Sequence, residues 1–237
     1  MDEVMQDRWG AASGFAALAM GAAAVVFERG APPVGASDSE VAAFHGAHTD
    51  ALLMQSLLFL ISAAFLLWFI GCLRTYLATA EGGTGRHAGL VFGAGFAYAA
   101  LSIVAQAGQV ALAAVARDAA AEPQLVAAVG SLAWALFTVA AVPAAVMLMA
   151  FALLAVRSDS LPSWLGWLAA VAGAAQFGLL AGIVVDAGPL APGGWYTFAP
   201  YLLYVVWLAA TAVVMLRRAG RRPVQADDRA PAVPGHR

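Results

Sequence analysis

"ALLMQSLLFLISAAFLLWFIGCL", Ala51–Leu73, is twenty-three residues without a formal charge, and Arg74 stops it. A helix of that length covers about 35 Å, against the roughly 30 Å of hydrocarbon in a bilayer. A buried soluble helix has no need of so long an uncharged run, so this stretch reads as a membrane span.

Working outward, five more runs share the property: Trp9–Phe27, Ala88–Ala116, one within Leu125–Val156, one from Pro162 to Val185, and Phe198–Leu216. Arg117, Arg157, Asp186 and the pair Arg217 and Arg218 end the last four. The third and fourth runs exceed what a bilayer needs and are expected to tilt or to project into water. Pro143 inside the fourth is expected to kink it. Composition agrees. The 237 residues are 62% hydrophobic and 11% charged, with a mean hydropathy of +0.81. A soluble domain carries about 25% charged residues, and this chain has too little polar surface to cover its apolar mass. The fold class is therefore all-α, a polytopic membrane protein with six spans over residues 1–218 and a tail, 219–237, whose Arg, Pro, Ala and Asp content predicts disorder.

The leader MDEVMQDR has three acids against one arginine, unlike the positive leader of a secretory signal, so the first run reads as a retained helix. All twelve basic residues are arginine, which with the heavy alanine usage suggests a GC-rich bacterial coding sequence. Arg8, Arg74, Arg86, Arg157 and the six tail arginines fall on one side and only Arg29 and Arg117 on the other, which predicts that both termini are cytoplasmic in a bacterial plasma membrane. The arginines beside the sixth span can also touch anionic lipid. A net charge of −2 gives no nucleic-acid signature. Cys72 is the only cysteine, so no intrachain disulfide forms.

"RSDSLPSWLGWLAAV" (Arg157–Val171) leads into the fifth span and "FLLWFIGCLRTYLATAEG" (Phe65–Gly82) leaves the second. In both the chain resembles the uncharacterised six-helix membrane proteins, a domain-of-unknown-function class widespread in high-GC bacteria. The resemblance covers Trp9 to Arg218 and rests on helix-boundary motifs. It implies a six-helix plasma-membrane protein and supplies no activity, cofactor or catalytic residue. The motif also has a local reading: Ser160 can cap, Pro162 suits a first helical turn, and Trp164 and Trp167 suit an interface.

Polar residues inside spans are costly and usually face the bundle interior. Gln55 lies in the second span. Tyr98, Ser102, Gln106 and Gln109 follow one face of the third. Gln176 and Asp186 lie in and at the end of the fifth, with Gly178 and Gly182 between them in a spacing that suits close helix packing. Tyr201 and Tyr204 open the sixth. With the termini inside, Gln55, Gln106, Gln109, Asp186, Tyr201 and Tyr204 fall in the outer half and Gln176 near the middle. Two readings follow. The amides bond between helices, worth about 0.6 kcal/mol each, or Gln55, Gln106, Gln109, Gln176, Asp186 and Tyr204 line a pocket open to the outside. Gln106 and Gln109 are expected to point inward together.

Just ahead of the second span, "SDSE" (Ser37–Glu40) fits a capping box for a short helix carrying Phe44, His45 and His48. Asp50 is placed to cap the second span if that helix breaks near Gly46. Alternatively His45, His48 and Asp50 hold a metal such as zinc, with a fourth ligand from elsewhere, although His87 and His236 lie on the opposite side. No nucleophile elbow is present, and the EGGTG of Glu81–Gly85, read as a flexible turn, lacks the lysine of a phosphate loop. The leading expectation is a non-enzymatic protein that binds a small molecule or lipid in an outward-facing polar pocket, with a connection to transport. The alternatives are an accessory subunit that packs against membrane partners or copies of itself, and a metal-dependent membrane enzyme.

Overall fold

The computed structural model describes residues 3–27, 30, 32, 36–82, 84–118, 120–158, 161–185, 188–191 and 194–219. Asp186, Ser160, Arg29 and the tail from 220 onward lie outside the described residues. Among the described residues seven α-helices run in order: α1 Glu3–Val26, α2 Asp38–Ala47, α3 Thr49–Glu81, α4 Arg86–Ala116, α5 Pro123–Arg157, α6 Ser163–Leu179 and α7 Phe198–Ala219. No strand occurs among the described residues. Apart from α2, each helix supplies a segment long and apolar enough to cross a membrane, α6 only together with its continuation to Ile183, and α3, α4 and α5, at 33, 31 and 35 residues, exceed the minimum. α5 stays helical through Pro143.

The spans pack in chain order as a closed ring: α1 on α3, α3 on α4, α4 on α5, α5 on α6, α6 on α7, and α7 back on α1. Short antiparallel links favour such neighbours. α2 stands apart, touching α3, α4 and α5 at one end. At the opposite end Gly10 of α1 lies against Cys72 of α3 and Met215 of α7, so the span set starts and finishes on the same side. The close approaches need small residues. A Cβ on Gly14 would come within 2.8 Å of the Phe69 ring. Between apolar helices in lipid, such van der Waals fit takes over the role that water exclusion plays elsewhere.

The centre of the ring is filled. Phe69, Ile70, Leu73 and Leu77 from α3, Val91 and Ala99 from α4, Met147, Leu148 and Phe151 from α5, Leu165 from α6, and Trp207 and Met215 from α7 are all buried. The periphery is apolar as well. Leu57, Phe65, Phe96, Leu132, Val171, Phe177, Leu202 and Val206 are exposed on it. A surface of this kind needs lipid as its solvent. Four of the exposed tryptophans lie at the rims, Trp9, Trp164 and Trp167 at the end away from α2 and Trp195 at the α2 end, as expected of amphipathic rings at an interface, while Trp68 and Trp134 are exposed within α3 and α5.

The ends of the spans carry local explanations. Gly82 (φ +62°) and Gly85 (φ +63°) turn the chain between α3 and α4, in a region that costs other residues strain. The Glu81 carboxylate accepts from the backbone N–H groups of His87 and Ala88 at 3.0 Å each and pairs with His87 Nδ1 at 2.8 Å. The last residue of α3 thus caps the start of α4, and the turn expected to be flexible is pinned. The fifth span departs from expectation more clearly. α6 ends at Leu179, and a 3-10 turn, Leu180–Ile183, continues it. The Tyr196 hydroxyl explains the place: it donates to the Ala175 carbonyl at 3.2 Å and rests against Gly178, where no Cβ would fit. Gly178 therefore makes room for an aromatic ring and not for a neighbouring helix.

Candidate functional site

The polar residues singled out in the sequence gather toward the α2 end. The capping box forms as expected: Glu40 N–H bonds Ser37 Oγ at 3.3 Å, and Ser37 N–H bonds the Glu40 carboxylate at 2.9 Å. The Glu40 pKa is held below its ordinary value by the Ser37 backbone N–H, with the Ser37 hydroxyl adding to the effect. α2 ends at Ala47, and α3 restarts at Thr49 after a break at His48. The Thr49 hydroxyl covers the carbonyls of His45 (2.8 Å) and Gly46 (3.1 Å) left free by that break.

Asp50 does not cap α3. It lies in the helix's first turn and forms an ion pair with Arg117, just beyond the end of α4. The two partners are 67 residues apart, so neither spacing nor local pattern announces the pair. His45 and His48 each turn Nδ1 toward a carbonyl of their own helix, Val41 at 2.8 Å and Phe44 at 2.9 Å, and His48 stacks on Phe44 at 4.4 Å. Among the described residues, no three His, Cys, Asp or Glu side chains converge as a metal site would require. An open depression of about 480 Å³ lies at this end, lined by Gly46 to Ala51 and Arg117.

Deeper in the bundle the amides differ from one another. Gln55 is buried at 8% exposure. The register set by Asp50 with Arg117 and by Ile70 with Gly95 puts it at about the level of Gln109 to Leu112 on α4. Gln106 is buried at 5% exposure, on the stripe of α4 that also carries Val91, Gly95, Ala99 and Ala113. Its amide makes no hydrogen bond among the described residues. Gln109 lies at the edge of that stripe and is half-buried, so the expected inward pair is one full inward residue and one partial. Gln176, buried, donates from Nε2 to the Pro200 carbonyl on α7 at 3.5 Å, a long and weak bond. Tyr204 is buried at the ring centre.

Sequence reasoning named Tyr98 and Tyr204 but missed Phe151, Trp207 and the meeting of the four rings. The Tyr98 and Tyr204 rings meet at 5.4 Å, Tyr204 and Trp207 at 5.8 Å, and Phe151 and Trp207 at 5.2 Å edge to face. Side chains from α4, α5 and α7 therefore meet across the ring. The signal lay in the spacing of Tyr201, Tyr204 and Trp207, three residues apart each time, which forms an aromatic stripe on α7. Buried hydroxyls elsewhere bond their own helices: Ser13 to Gly10 at 2.7 Å and Thr211 to Trp207 at 2.8 Å. Their single donors are spent, whereas an amide such as that of Gln106 keeps two donors as well as two acceptor lone pairs.

Neither a protein family, nor a curated protein, nor a solved structure matches the chain.

Proposed function

We propose that this multi-pass membrane protein binds a small neutral molecule or a lipid in a polar pocket at the α2 end, and that this end faces outward from a bacterial plasma membrane. The observation that carries the reading is Gln106. An amide left dry and unpaired costs a few kcal/mol, and lipid offers it nothing in exchange. Gln106 is 5% exposed and shows no hydrogen bond among the described residues, its amide atoms are not fully dry, and Gln55 and Gln109 lie nearby in level. A polar guest, or water, is what such a group needs. The depression beside Asp50 and Arg117 gives the same end an opening. The outward orientation rests on the arginine distribution, and the bacterial origin on the composition and on the resemblance described above.

Gln176 speaks for the packing alternative at its own position, since it already spends one N–H on α7. It joins helices in the manner of an accessory subunit's interhelical bonds, and we assign it to the wall of the pocket rather than to ligand contact. The filled ring centre supports binding over an open channel.

Mass spectrometry of protein extracted from native membranes in mild detergent tests the reading. Wild-type protein is expected to retain a lipid or metabolite that Gln106→Leu loses while remaining folded. Equal retention by both, or none by either, would contradict it.

A further inference from the structure

Two polar atoms at the centre of the ring have no partner among the described residues: the Tyr204 hydroxyl and the Trp207 indole Nε1. Their residues are 5% and 1% exposed, and both belong to α7, three positions apart on one face. From the start of α7 at Phe198 they lie about 9 and 14 Å down the helix, close to mid-membrane. Each such orphan is costly in a medium without water, and two on one face are unusual.

We propose that this donor pair, buried deep below the α2 end, binds a neutral carbonyl oxygen carried by a membrane-soluble compound. The chemistry narrows the guest. Trp Nε1 only donates, so the complementary atom is an acceptor. No buried side chain among the described residues is charged, so an anion would find no counter-charge in the low dielectric. The depth excludes a freely water-soluble guest. The rings of Tyr98 and Phe151 pack against Tyr204 and Trp207, an aromatic surround that suits either a flat ring carbonyl or an ester carbonyl at the head of an acyl chain. The route runs down the α6–α7 seam, where the 3.5 Å contact between Gln176 and Pro200 lies one turn above Tyr204 and is the weakest bond to break. For that route the inference rests on the outward-pocket reading.

The test uses the full chain in detergent, with decylubiquinone and monoolein as the ring and ester probes. Tyr204→Phe removes one oxygen and leaves the ring. One of the two probes is expected to raise the wild-type unfolding midpoint by about 2–4 °C and to leave Tyr204→Phe unmoved; which probe acts identifies the source of the carbonyl. Without probe, Tyr204→Phe is expected to melt at or above the wild-type midpoint, because an unpaired donor has been removed. No response of the wild type to either probe, or equal responses of wild type and variant, would overturn the inference. A probe-free variant less stable than wild type would also overturn it, since the hydroxyl would then have a partner inside the protein. The outward pocket is judged separately, by solvent access at Gln106. Access there without a carbonyl response removes only this inference, and a carbonyl response without access removes only the outward route.

Discussion

At the scale of single residues, the molecule depends on where side chains are absent as much as on where they are present. Gly178 is the sharpest case. The ring of Tyr196 lies against its backbone, in the space a Cβ would take, and donates to Ala175. Gly178→Ala must therefore expel the ring and lose the bond. Overpacking of this kind costs about 1–3 kcal/mol. In thermal unfolding the variant is expected to melt several degrees lower, and the double variant Gly178→Ala with Tyr196→Ala to lose little beyond the Tyr196→Ala change alone. Additive losses would contradict the contact. The amides form a second group of such residues. The burial of Gln55, Gln106 and Gln176 was legible from the sequence because a glutamine inside a span has few places to go but inward, whereas Gln109 is only half-buried. The partner of Asp50 was not legible, since Arg117 approaches it only after α3 and α4 have paired along their length.

At the scale of elements, the spans were legible because charge is excluded from hydrocarbon, so Arg74, Arg117 and Arg157 mark their limits in the sequence itself. The short helix α2 was legible from its capping box. That box also makes α2 sensitive to acid. The Glu40 pKa is lowered by hydrogen bonds that exist only in the folded helix. A depressed carboxylate pKa means that stability is present above the unfolded value and is lost as pH falls through the folded one. Amide exchange in residues 38–47 is thus expected to quicken selectively, relative to α3, as the pH is lowered through the carboxylate range. Glu40→Gln, which keeps the box geometry, is expected to remove most of that pH dependence, and an unchanged pH profile in Glu40→Gln would contradict the capping account. The early end of α6 was not legible. Nothing within Pro162–Val185 reveals that Tyr196, far along the chain, will meet Gly178 where the helix tightens into a 3-10 turn.

At the scale of the whole molecule, six spans in a closed ring place a filled core at the centre and the buried amides toward one end. The ring order and the aromatic meeting of Tyr98, Phe151, Tyr204 and Trp207 come from tertiary packing that periodicity alone does not encode. Two consequences concern sidedness. An even number of spans, together with the arginine bias, predicts that cysteines at Ser39 and Arg221, each in a Cys72→Ser background, react with an impermeant thiol reagent from opposite faces of the membrane, Ser39 from outside. Reaction of both from one face would contradict the six-span topology, and reaction of Ser39 from inside with Arg221 from outside would reverse it. The second consequence tests the central claim, a hydrated pocket reaching Gln106 from outside. In right-side-out vesicles carrying Gln106→Cys with Cys72→Ser, an impermeant cationic methanethiosulfonate is expected to modify position 106 without permeabilisation, and a cysteine at Leu132, exposed on the lipid-facing surface, is expected to stay unmodified. Protection of position 106 from both faces, or modification only after the vesicles are opened, would contradict the account.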